Sequence, residues 1–223
     1  MKRAKKWISV ALSLTLLSTF AINVEAKGNL GNEETILAEG VYKNDELQDL
    51  ADTLGYETVT EDGYTLESIA ISFEKNDSTF TPELVRKDMQ FICTIGDHIG
   101  NVKKAKPDVY FSNSPIASNW YDGPLSKVTK TYSRTVSAVY SCTASVSADV
   151  LNAGLSFSVT DSTTESTSLE RPAVSSTKRL NIKEYGVYDK YTFTLYSILG
   201  KEKGTGSAYK PMGLYVAQAI YSK

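Results

Sequence analysis

The sequence predicts an α+β protein: a small acidic N-terminal α+β piece followed by an antiparallel β-sandwich-like domain with one long Ser/Thr-rich hairpin. Three observations lead there. In "NDELQDLADTLG", Leu47, Leu50, Ala51 and Leu54 recur at i, i+3, i+4 and i+7, which is one face of a helix. From Leu125 onward helical periodicity disappears and Ser, Thr and Tyr dominate. Within that half, "TVSAVYSCTASVSADV" (135–150) alternates apolar residues with small hydroxyls. Ten of the twelve even positions from Val128 to Val150 are apolar or aromatic, and nine of the eleven odd positions between them are Ser or Thr. That is the period of a strand with one buried and one wet face.

The elements follow in order. The start, MKRAKKWISVALSLTLLSTFAINVEA, has a basic run, an apolar run and small residues at Val24 and Ala26, so residues 1–26 read as a secretory signal peptide. The apolar run is shorter than the roughly 20 residues of a spanning helix. Removing it leaves 20 basic and 25 acidic side chains, net −5. Lys27–Asp77 carries net −10 and Ser78–Lys223 net +5, which reads first as two solvated surfaces that differ in charge and, as the alternative, as an acidic segment that docks on or shields the basic remainder. Residues 27–114 form the acidic α+β subdomain. It has a mobile lead-in to Gly40, the helix ending at Gly55, and two strands around Glu61-Asp62-Gly63. A second helix opens at Thr81-Pro82-Glu83. Residues 115–124, rich in Gly, Asn and Pro, read as a linker, and 125–223 as the antiparallel β domain. There "YTFTLYSIL" (191–199) and "LYVAQAIY" (214–221) are strands, and Pro211 suits a sheet edge or a bulge.

The residues that carry chemistry are few. His98 is the only histidine, in the turn-like "GDHIG" with no nucleophile signature beside it, and it reads as a surface residue. There is no HExxH, no EF-hand loop and no Cys/His cluster, so no metal and no cofactor is expected. Dense Lys/Arg clustering is missing too, so nucleic acid is not an expected partner. An enzyme is not expected. Cys93 and Cys142 either close one bridge around a 49-residue separation, worth about 4 kcal/mol in an exported protein, or act as two small buried hydrophobes. Fourteen tyrosines are many for this length. Trp120, Tyr121, Tyr188, Tyr191, Tyr196 and Tyr209 are the candidate binding residues, because such rings offer apolar area with a polar handle.

"KEYGVYDKYTFTLYSILGKEKGTGSAYKPMGLYVAQAIY" (183–221) resembles the tails of a largely uncharacterised group of small secreted β-rich proteins of Gram-positive bacteria. The resemblance covers residues 125–223 and rests on the Ser/Thr-rich segment, the tyrosine-rich strand and the turn from Gly204 to Gly213. It implies a compartment and a β-rich fold, and no activity. A looser likeness of composition, the Ser/Thr-rich hairpin, is to aerolysin-like pore-forming toxins.

The expected function is a secreted, non-enzymatic binding or interaction protein whose partner is an extracellular or cell-envelope ligand. The alternative is an aerolysin-like β-pore-former. The opening stretch decides between them at this level. After "LNAG" (151–154) the phase flips, so Leu155, Phe157 and Val159 are odd. The pattern predicts a long soluble hairpin, because the apolar face of the second strand soon meets Asp161 and Glu165. Membrane contact is thereby the less favoured expectation.

Overall fold

A computed structural model describes residues 33–35, 39–75 and 96–223. The signal-peptide segment, the helix expected from Thr81 and Cys93 lie outside the described residues.

Two strands form the spine. β9 (Lys178–Tyr196) and β10 (Glu202–Ser222) pair antiparallel over their whole length, from Tyr196↔Glu202 to Lys178↔Ser222. Their aromatic and β-branched residues favour a pleated sheet, and Gly200, at φ 73°, makes the turn between them. The flanking strands change half-way along. β5 (Ala117–Asp122) pairs with the first half of β9 and β4 (His98–Phe111) with the second. β7 (Val139–Cys142) pairs with Gly206–Tyr209 of β10, and β3 (Thr65–Lys75) with Gly213–Ser222. β1 (Glu33–Thr35) joins β4, and β2 (Gly40–Tyr42) joins β3. Pro211 falls between the stretches that β7 and β3 occupy, at a register shift, where its missing N–H costs no ladder bond.

β6 (Val128–Ser137) and β8 (Ser162–Arg171) form a separate two-stranded ribbon. It lies on the spine through Tyr132, which packs with Leu180, Ile182, Leu214 and Val216. On the opposite residues of the spine, α1 (Leu47–Leu54) buries Leu47, Leu50, Ala51 and Leu54 against Tyr185, Val187, Tyr215 and Ala217. α2 (Ala148–Gly154) packs near the other end, on Phe193 and Leu195.

Over the described residues the chain is mostly antiparallel β, as the sequence predicts for residues 125–223. Its organisation differs in four ways. The expected linker at 115–124 contains β5, which fills the free side of β9. The expected N-terminal piece contributes β1 to β4 to the same eight-stranded sheet as β9 and β10, because a sheet edge is satisfied by any chain that can reach it. Around Asp62 only β3 is a strand, and the preceding arm makes a single bridge, Val59↔Thr65. The lead-in also has structure, since Glu33 sits between Lys190, Lys106 and Tyr209. Burial pushes the pKa of Glu33 up, but the hydrogen bonds from these three partners outweigh it and leave the group below its ordinary value. Glu67 with Lys178, and Asp62 with Arg179, likewise join the acidic segment to the basic one.

Candidate functional site

The long hairpin expected over residues 128–159 is not what the chain forms. β6 stops at Ser137, directly opposite Ser162 of β8, and Ala138 N–H still donates to Asp161 O at 3.2 Å. Between these two points the chain leaves the ribbon and returns to it. Residues 139–142 add to the edge of β10, and Thr143 continues the contact, its N–H donating to Thr205 O at 2.9 Å. Ser147 then caps α2, its Oγ accepting from Val150 N–H at 3.4 Å. Asn152 Oδ1 accepts from Val159 N–H at 2.7 Å and folds the return path.

Packing, not propensity, holds this excursion. α2 has seven residues, too few to be stable alone. Leu151, Leu155 and Val159 are buried with Tyr140 against Ile99, Phe193, Leu195 and Ala208. The approach is close enough that a Cβ on Gly154 would sit 2.2 Å from Ile99 Cγ1. Meanwhile Val146, Ala148, Val150 and Phe157 are only half-buried. The period-two pattern still shows in the burial of residues 143–150, but it is not used for strand pairing there. A hairpin standing free in water would leave its apolar face wet, so the chain wraps round the sheet edge instead.

The pairing of the ribbon shows what the pattern matches. Every β6–β8 pair is in one constant register, from Val128↔Arg171 to Ser137↔Ser162. Continued upward without a shift, that register sets Tyr140 opposite Val159, Cys142 opposite Phe157, Ala144 opposite Leu155 and Val146 opposite Ala153. Their neighbours also match: Ser141 with Ser158, Thr143 with Ser156, Ser147 with Asn152. Between Tyr140 and Val159 one face is then apolar and the other polar apart from Gly154. The phase flip at "LNAG" is what such a hairpin requires, because even positions pair with odd ones. Asp149 at the tip and Asp161 at the base are the only charged residues from Ala138 to Asp161.

The ribbon beneath it is loosely sealed. Gln218 is fully buried in β10 under the ribbon, and neither of its side-chain polar atoms finds a partner among the described residues. The same holds for Tyr132 Oη, Thr167 Oγ1, Arg134 Nε and Glu184 Oε2. An ion pair crosses this contact, Arg134 Nη2 to Glu184 Oε1 at 2.8 Å. Each buried polar atom left unpaired costs about 1–3 kcal/mol.

The six aromatic candidates do not converge. Tyr188 and Tyr209 are core residues that pack on Phe111, and burial pushes Tyr188 up to about 12. Tyr191 packs at a tilt against Phe157, and Tyr196 stacks on His98 with its Oη accepting from Asn101 Nδ2 at 2.7 Å. Tyr121 packs into the ribbon cluster and lies under Lys130. Trp120 alone stands at a cavity, and it is 45% exposed. Strand alternation sends neighbouring rings to opposite faces, and sequence clustering hides this. Cys142 carries a free, half-buried thiol. Among the described residues there is no cluster of metal-ligating side chains, and no helix is long and apolar enough to cross a membrane. No protein-family model matches the chain, and no curated protein matches it significantly.

Proposed function

We propose that this is a secreted, non-enzymatic protein that acts on membranes by re-pairing residues 138–161 as a β-hairpin. One observation carries the reading. The register of β6 and β8, prolonged without a shift, turns a half-buried excursion into a hairpin with one unbroken apolar face. With a four-residue tip at 148–151, each arm is nine residues long (139–147 and 152–160), within the roughly 9–11 residues of a membrane-spanning strand. The charges that count against insertion fall at the tip and base, at depths where a carboxylate costs little.

A single hairpin in lipid leaves its two outer edges without hydrogen-bond partners, so insertion requires closure into a barrel by several copies of the chain. The Ser and Thr face then lines the lumen. Apolar area withdrawn from Ile99, Phe193 and Leu195 is buried again in hydrocarbon. This arrangement accords with the likeness to aerolysin-like toxins.

A reversible cross-link tests it. Ser141 and Ser207 are paired across β7 and β10, so S141C/S207C in a C93S/C142S background can tie the excursion to the sheet. Dye-loaded vesicles are expected to stay sealed with the oxidised protein and to leak after reduction. Leakage that is equal in both forms, or missing after reduction, rejects the hairpin as the inserting element.

A further inference from the structure

At the far end of the spine from the excursion, a cavity of about 240 Å³ opens between the C-terminus of α1 and β5. Trp120, Tyr56 and Tyr221 form its aromatic walls, with Asn181 and Lys183 of β9 and Glu57 at its edge. The tryptophan is held in place: Tyr221 lies 5.1 Å from its ring and the Arg179 guanidinium 5.3 Å. Arg179 is fixed in turn by Asp122 at 2.6 Å and Asp62 at 3.1 Å. Lys183 Nζ donates to Leu54 O at 3.0 Å and Gly55 O at 2.5 Å, capping α1. Two of its three donors are thus spent, and one remains. Burial pulls the Lys183 pKa down, with Glu57 opposing that shift. Asn181 is 1% exposed, and its Oδ1 has no partner among the described residues.

We propose that this cavity binds one neutral pyranose ring of a glycan. The chemistry is that of a sugar with one C–H face and a rim of hydroxyls. The indole offers an apolar surface of ring size, Asn181 Oδ1 and Glu57 accept from hydroxyls, and the spare Lys183 N–H donates to one. The volume suits one ring and no more. A quaternary ammonium, the other frequent guest of aromatic walls, is repelled because Lys183 already lies 4.3 Å from the Tyr56 centroid and Arg179 beside Trp120. An acidic sugar is disfavoured by Glu57, since the positive charge of Lys183 already faces two carbonyl oxygens. The site stands whether or not residues 138–161 insert, and its test needs no membrane.

Trp120 supplies the readout. Trp7 and Trp120 are the only tryptophans, so in the full chain carrying W7F all indole emission comes from Trp120. Methyl glycosides of glucose, galactose and mannose, N-acetylglucosamine, sialic acid and phosphocholine are titrated in turn. The expected result is a saturable emission change with at least one neutral pyranose, weakened about tenfold by Asn181→Ala and weakened also by the exposed-edge variant Glu57→Gln, which takes the charge from the second acceptor without touching the core. Comparing glycolipid vesicles with a glycoprotein that bears the best sugar then assigns its source. No response to any neutral sugar, stronger binding of sialic acid or phosphocholine, or a response indifferent to Glu57→Gln overturns the proposal.

Discussion

On one face of the β9–β10 pair, buried polar groups reach across to α1. Tyr56 Oη donates to Ala217 O at 2.9 Å, Tyr185 Oη donates to Leu54 O at 2.9 Å, and Lys183 caps the helix. On the other face, under the β6–β8 ribbon, Gln218, Tyr132 and Thr167 bury polar atoms without partners among the described residues. Both faces bury leucines, isoleucines and tyrosines, so the hydrophobic contribution does not separate them. Directional bonds do. They fix α1 in one position, whereas the contact under the ribbon is mainly apolar among the described residues and is crossed by the Arg134–Glu184 pair. The pattern is uneven even so, since Tyr215 Oη on the α1 side is also orphaned.

The largest effect that probes this contrast comes from two leucines of equal burial. Leu54 and Leu151 are both fully buried, on α1 and α2. Leu54→Ala is expected to cost about 2–5 kcal/mol of global stability, read as a fall in the denaturant midpoint. Leu151→Ala is expected to open residues 139–160 locally. Amide exchange there should rise while the midpoint moves much less. If both variants shift the midpoint equally, the excursion is part of the cooperative core and the contrast fails.

Gln218→Leu sharpens the comparison from the opposite side. It removes two orphaned atoms at nearly constant volume, and is expected to stabilise the protein by about 1–3 kcal/mol. A loss of stability would show that Gln218 is satisfied in solution. Tyr56→Phe, on the bonded face, is expected to cost about 1 kcal/mol by deleting a net hydrogen bond, measurable in the same denaturation series.

The smallest effect is electrostatic. Glu33 has its folded pKa below the ordinary value, so its contribution is present above the unfolded carboxylate pKa of about 4.3 and is lost as pH falls through the folded value. Glu33→Gln is therefore expected to be slightly less stable than the parent at neutral pH and to converge on it as the pH falls through the folded value. A gap that persists in acid would assign the difference to packing.

Much of the fold was legible before any coordinates. α1 and its C-terminal Gly55, at φ 62°, follow from an i, i+3, i+4, i+7 pattern that needs nothing beyond its own residues. The strands at 191–196 and 214–221 follow from composition, and the bulge at Pro211 from the lack of an N–H. The cavity was less legible, although a signal existed. Arg179, Asn181 and Lys183 are polar at every second position of a strand whose next odd residues are Tyr185 and Val187, and such a row in a central strand marks a face that is not simply core.

By itself the sequence determined the periods: which residues of each stretch share a face, and that residues 138–161 can form a hairpin with an apolar and a polar side. Tertiary structure alone decided that they do not form it in the folded monomer. Periodicity is a property of neighbours along the chain, but the free edge of β10 at 206–209 and the apolar surface of Ile99, Phe193 and Leu195 are brought to those residues from elsewhere in the sequence. In water the burial they offer outweighs a free-standing hairpin with one wet apolar face.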